Sequence, residues 1–117
     1  PSGNTIMPAV PLDNKGRGEA FSPTDLLSSS LASCMLTIMG ITANTHNINI
    51  KGAEAEVTKI MASNPRRVAE IHISMKMPEV AYSDKEKAIL ENAARTCPVA
   101  LSINPAIIQK IDFVYPL

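Results

Sequence analysis

Nineteen consecutive residues, Leu26 to Asn44, carry no charge, and this segment constrains the fold more than any other. Leu27, Leu31, Cys34, Ile38 and Ile41 recur at spacings of three and four, which predicts one apolar helical face. Leu26, Ser30, Ser33, Thr37 and Gly40 fill an adjacent face rich in small residues. Ser22 suits the N-cap, Pro23 the first helical position, and Asp25 the first turn, where a negative charge favours the helix dipole. A helix this apolar belongs at the centre of a fold. Its small residues predict close approach by a second helix, symmetry-related or within the chain. Asp25 and the many Ser, Thr and Asn residues argue against a membrane span, and no uninterrupted apolar run reaches 18 residues.

The rest of the chain alternates or caps clearly. Residues 1–22 are broken by Pro1, Pro8, Pro11, Gly16 and Gly18, with a short strand expected at Asn4–Met7 and an exposed polar loop from Asp13 to Glu19. In Asn49–Met61, Ala53, Ala55 and Val57 alternate with Glu54, Glu56 and Thr58. After the turn Ser63-Asn64-Pro65, Arg67–Met77 places Val68, Glu70, His72, Ser74 and Lys76 opposite Ala69, Ile71, Ile73, Met75 and Met77. Together they predict a hairpin with one apolar face. Ser83 and Glu86 make a capping box for a helix to about Thr96, with Ile89, Leu90, Ala93 and Ala94 facing inwards. Pro98 opens a short helix through Ile103, and Ile107–Tyr115 is a final strand. The order predicts a single α+β domain over residues 1–117 with an antiparallel sheet.

Composition removes several function classes. Eleven basic residues balance eleven acidic ones, so no electrostatic footprint for nucleic acid or an anionic membrane is expected. Six methionines suit adaptable packing, and simple core filling is their plainest use. Two cysteines are too few for a disulfide scaffold. A zinc site would need His46 and His72 to join them without ligand spacing, so neither metal nor cofactor is expected. Phosphate-loop, dinucleotide and serine-hydrolase motifs are absent from the sequence. Chemistry is left to Cys34 and Cys97. Local sequence alone favours Cys97 as the reactive thiol, because it precedes a helix at an N-cap position with Arg95 nearby. Cys34, among apolar residues, reads as buried and inert. Two purely structural cysteines remain an equal reading.

A resemblance shifts that balance. Pro23-Thr24-Asp25-Leu26, with Cys34 eleven residues after Pro23, resembles the central-helix motif of the OsmC/organic hydroperoxide resistance family. Thr96-Cys97-Pro98-Val99 resembles its Cys-Pro motif, and Asp13 to Leu27 looks like an OsmC-like subgroup. The resemblance implies an interlocked cytoplasmic homodimer whose sheets enclose long central helices, with additional N-terminal strand residues. It implies a peroxidase in oxidative-stress defence. Cys34 would attack an organic hydroperoxide or hydrogen peroxide, Cys97 would close a disulfide, and an external thiol or dithiol would reduce it. The chain departs from the peroxidase pattern at Thr24, where the family has a glutamate that holds an arginine near the thiolate. Asp25 points about 100° further round the helix and lies about 13 Å along the axis from Cys34, so only a partner subunit's Asp25 is placed to approach that thiol. Arg17 and Arg95 are the candidate cations. A ligand-binding or redox-sensing dimer without the activating pair is the competing reading.

Overall fold

The computed structural model describes residues 22–117. The expected strand at Asn4–Met7, the loop from Asp13 to Glu19 and Arg17 lie outside them. Six elements follow one another: α1 (Pro23–Thr45), β1 (Glu54–Ala62), β2 (Arg67–Lys76), α2 (Asp84–Arg95), α3 (Pro98–Ser102) and β3 (Ile108–Val114). Both predicted N-caps close as full capping boxes. Ser22 accepts from Asp25 N–H while Asp25 accepts from Ser22 N–H, and Ser83 pairs in the same way with Glu86. His46 and Asn47 end α1. Asn47 takes the left-handed conformation that asparagine tolerates, and so does Asn64 in the hairpin turn.

The sheet has the order β1-β2-β3. β1 and β2 pair antiparallel, as the hairpin predicts, but β2 and β3 run parallel. The expectation of an antiparallel sheet holds for β1 and β2 and is corrected at β3. α2 and α3 together form a crossover that returns the chain to the starting end of β2, and a crossover of this length joins parallel strands. A second correction concerns Val68. Ile60 pairs with Glu70 and Met61 with Val68, so Ala69 is an extra residue in β2. This bulge turns Val68 to the buried side, away from Glu70 and His72.

α1 packs against β1, α2, α3 and β2. Its buried stripe is Ser28, Leu31, Ala32, Met35, Met39 and Ala43, not the Leu27-to-Ile41 line expected from spacing. Ile41 is 60% exposed. A helix apolar on most sides offers several equivalent stripes, and only the tertiary partners choose among them. The absence of an apolar run long enough to span a membrane also needs correction. Averaged over 18 residues α1 reaches a mean hydropathy of 1.6, long and apolar enough by composition alone, with a third of that window buried within the chain. Serines and threonines interrupt the run without lowering its average much.

One apolar cluster holds the domain together. It joins Leu31, Met35 and Met39 of α1 to Ile71, Ile73 and Met75 of β2 and to Leu90, Ala93 and Ala94 of α2. Met35, Met39, Met75 and Met77 are buried, so most of the methionines do fill the core. The outer sheet face is polar, with Lys76 paired to Glu56 and His72 to Glu70, each at 2.7 Å. Ile73→Ala is expected to lower the unfolding free energy by about 2–5 kcal/mol in a denaturant titration. Lys85→Ala, on the exposed side of α2, should change it by less than about 0.5 kcal/mol.

Candidate thiol site

Cys34 lies midway along α1, beside the buried Leu31–Met35 stripe and next to the exposed Ser33 and Thr37. It is therefore half-buried. Cys97 sits at the joint between α2 and α3, where Pro98 forbids continuation of the preceding helix. Its backbone is extended, as an N-cap requires, and its sulfur accepts the Ala100 N–H at 3.4 Å. It is fully buried. Burial pushes the Cys97 thiol above its usual range; the Ala100 N–H opposes this, and the neighbouring Cys34 thiol reinforces it. Both cysteines are free thiols.

The expectation from local sequence is thus reversed. Cys97 has the capping position but not solvent access, and one hydrogen bond from a five-residue helix does not offset its burial. Cys34 is the accessible thiol of the two. The chain fold brings together two residues 63 positions apart in sequence, 97 minus 34.

The supporting residues are placed elsewhere. Thr24 and Asp25 lie in the first turn of α1 and bind the Lys59 ammonium, at 2.7 Å from Thr24 Oγ1 and 2.7 Å from Asp25 Oδ1. Ser22 Oγ accepts a third, longer contact at 3.3 Å. Lys59 extends from β1 and fastens the start of α1 to the sheet. The hydrogen bond from Lys59 holds the Asp25 carboxyl below the usual carboxylate range; partial burial opposes it and the Ser22 contacts assist. Sequence reasoning missed Lys59, although a signal exists. It falls in phase with Ala53, Ala55 and Val57, a lone cation on the inward side of its strand.

Arg95 is committed to other partners. Its guanidinium stands 5.2 Å from the centre of the Phe113 ring and 3.5 Å from Glu91 Oε1. It is absent from the groups that shift Cys97. Among the described residues no cluster of three or more His, Cys, Asp or Glu side chains is arranged to hold a metal ion. A cleft of about 450 Å³, walled by Leu27, Val68, Ile107 and Ile108, opens beside Thr24 and contains neither cysteine.

The family model described as OsmC-like protein matches residues 16–111, which include both cysteines and every element but the end of β3. The chain belongs to the OsmC-like family. A solved protein of Psychrobacter arcticus 273-4, whose name refers to osmotic stress induction and a detoxification response, is 55% identical, with a TM-score of 0.92 over 97% of this chain and 82% of that one. The organic hydroperoxide resistance protein OsmC of Legionella pneumophila shares the fold at 18% identity, with a TM-score of 0.73 over 90% of this chain and 77% of that one. OhrB of Bacillus subtilis, also an organic hydroperoxide resistance protein, shares it at 18% identity and a TM-score of 0.66, over 81% and 71% of the two chains. No curated protein matches the chain. The OsmC-like fold accounts for the long helix enclosed by sheet and shorter helices.

Two outcomes follow for this family member. Iodoacetamide should label Cys34 first, with Cys97 labelled in quantity only after denaturation or at markedly alkaline pH, as read by peptide mass spectrometry. The Asp25–Lys59 contact should be pH-dependent. Because folding depresses the Asp25 pKa, its contribution is complete above the unfolded value of about 3.9 and is lost as pH falls through the lower folded value. The unfolding midpoint of wild type should exceed that of Asp25→Asn at pH 6, and the difference should shrink steadily as the pH is lowered below about 3.9.

Proposed function

We propose that this OsmC-like protein is a cytoplasmic, homodimeric thiol peroxidase that reduces organic hydroperoxides or hydrogen peroxide in oxidative-stress defence. The observation that carries the reading is the pairing of a half-exposed thiol, Cys34, with a fully buried one, Cys97. Relatives named for organic hydroperoxide resistance support the same substrate class.

The chemistry divides between the two sulfurs by access. The Cys34 thiolate attacks the outer oxygen of the hydroperoxide. An S–O bond forms, the O–O bond breaks, and the alkoxide leaves as alcohol after taking a proton. Cys34 is then a sulfenic acid, oxidised by two electrons. The Cys97 sulfur attacks it, forming the disulfide and releasing water. An external thiol or dithiol returns two electrons by exchange. Burial that keeps Cys97 protonated in the resting state suits a resolving thiol, because it does not compete for the peroxide.

α1 supports the homodimer. A helix with a mean hydropathy of 1.6 and only a third of its apolar window buried leaves a face for a second copy to cover. Ser30, Ser33, Thr37 and Ile41 form its exposed side, where small side chains permit close helix approach.

A ligand-binding or redox-sensing dimer is the second reading, and a specific observation favours it. Thr24 replaces the family glutamate, and Lys59 spends its hydrogen bonds on Asp25, Thr24 and Ser22, leaving no cation among the groups that shift Cys97. One equivalent of cumene hydroperoxide separates the readings. A peroxidase loses both titratable thiols per chain within seconds to minutes and Cys34→Ser abolishes peroxide consumption. A binding or sensing protein leaves the peroxide unconsumed in the presence of excess dithiol, and that result would overturn the peroxidase.

A further inference from the structure

α3 is five residues long, far too short to persist unaided, and the sulfur of Cys97 is one of the few things that hold it. Ala100 is buried, and its N–H donates to Cys97 Sγ at 3.4 Å. The other hydrogen bonds are Leu101 N–H to Cys97 O at 3.1 Å, Ile103 N–H to Val99 O at 3.2 Å, Ser102 Oγ to Pro98 O at 2.7 Å, and Gln109 Nε2 to Ala100 O at 3.0 Å. The group that caps this helix is therefore the same group that must enter the disulfide.

We propose that closing the Cys34–Cys97 disulfide uncaps α3 and opens it, and that this opening admits the reductant. The inference rests on the pairing of these thiols set out above. To bond, the sulfurs must approach to about 2 Å. Cys34 is fixed in the middle of a 23-residue helix whose flanking residues Leu31 and Met35 are fully buried. α3 is the weaker partner, so Cys97 Sγ moves toward α1 and away from the Ala100 N–H. The buried Ala100 N–H then lacks a partner, a cost that favours exposure to water.

Opening changes access as well as order. In the reduced state Cys97 is fully buried, whereas Leu101 already stands 72% exposed on the outer side of α3. Loss of the cap releases Ala100 O from Gln109 and frees Val99 and Ile103, now half-buried against the core. A dithiol can then reach the disulfide. Its first thiolate displaces one cysteine sulfur, its second closes a ring, and two electrons pass to Cys34 and Cys97, which regain their protons. Reduction restores the cap and closes the helix.

Amide hydrogen exchange on the full chain tests this. The protein is compared reduced and after oxidation with diamide, which takes two electrons and two protons from the thiol pair. The disulfide is verified by a loss of about two mass units and by peptide mapping. Exchange at Ala100, Leu101 and Ile103 is expected to accelerate at least tenfold on oxidation, while the middle of β2 keeps its protection. Cys97→Ser retains a capping oxygen and cannot form the bond, so its exchange should stay slow under the same oxidant. Cys97→Ala should exchange quickly at these amides with or without oxidant. Disulfide-bonded wild type that exchanges as slowly as the reduced protein overturns the proposal, and so does failure of diamide to join Cys34 to Cys97. A bond made by diamide but not by cumene hydroperoxide counts against the peroxidase alone.

Discussion

The rotation of α1 about its own axis governs everything else in this molecule. Leu31, Met35 and Met39 share one apolar cluster with Ile71, Ile73 and Met75 of the sheet and with Leu90 of α2. Burying side chains of this size is worth about 1.5–3 kcal/mol each. Turning the helix by one residue, about 100°, would expose most of that stripe. The packing therefore fixes the direction in which Cys34 points, at the margin of the buried surface. Lys59 adds a polar fastening at the helix start, where it binds Thr24 and Asp25 from the middle of β1.

Given that rotation, the chemistry of the thiols follows from burial. Cys97 is tied to the end of α2 by chain connectivity and to α3 by its capping bond, and both draw it under the surface. Within one chain Cys34 is only half-buried, at the edge of the stripe that Leu31 and Met35 bury. Two identical functional groups thus differ in burial, Cys34 half-buried and Cys97 fully buried. Lys59 serves the architecture of the helix start, bound to Asp25, Thr24 and Ser22.

Local signals in the sequence are strong wherever the backbone itself demands a residue type. Ser22-Pro23 and Ser83 through Glu86 set the starts of α1 and α2, and Cys97-Pro98 the start of α3. Alternation places β1, and capping chemistry even identifies the position of Cys97. What sequence does not convey is anything set by partners distant along the chain. The buried stripe of α1 is decided by the sheet and α2, because so many of its sides are apolar. The parallel placement of β3 depends on where the crossover lands, and the bulge at Ala69 on a strand register that periodicity cannot see. The relative burial of the cysteines belongs to the same class: local sequence reads Cys34 as the buried thiol, and the fold buries Cys97 more completely. Lys59 was visible as a cation on the inward, otherwise apolar side of its strand, but its partners 34 and 35 residues earlier were not.

The central claim is that the fold of a single chain sets the two sulfurs against each other. The kinetic order of disulfide formation under diamide, followed from low micromolar to millimolar protein, tests it most directly. The account predicts a first-order rate independent of protein concentration and one linked peptide pair, containing Cys34 and Cys97 of the same chain. A rate that rises in proportion to concentration, with cross-linked chains as the main product, would contradict it.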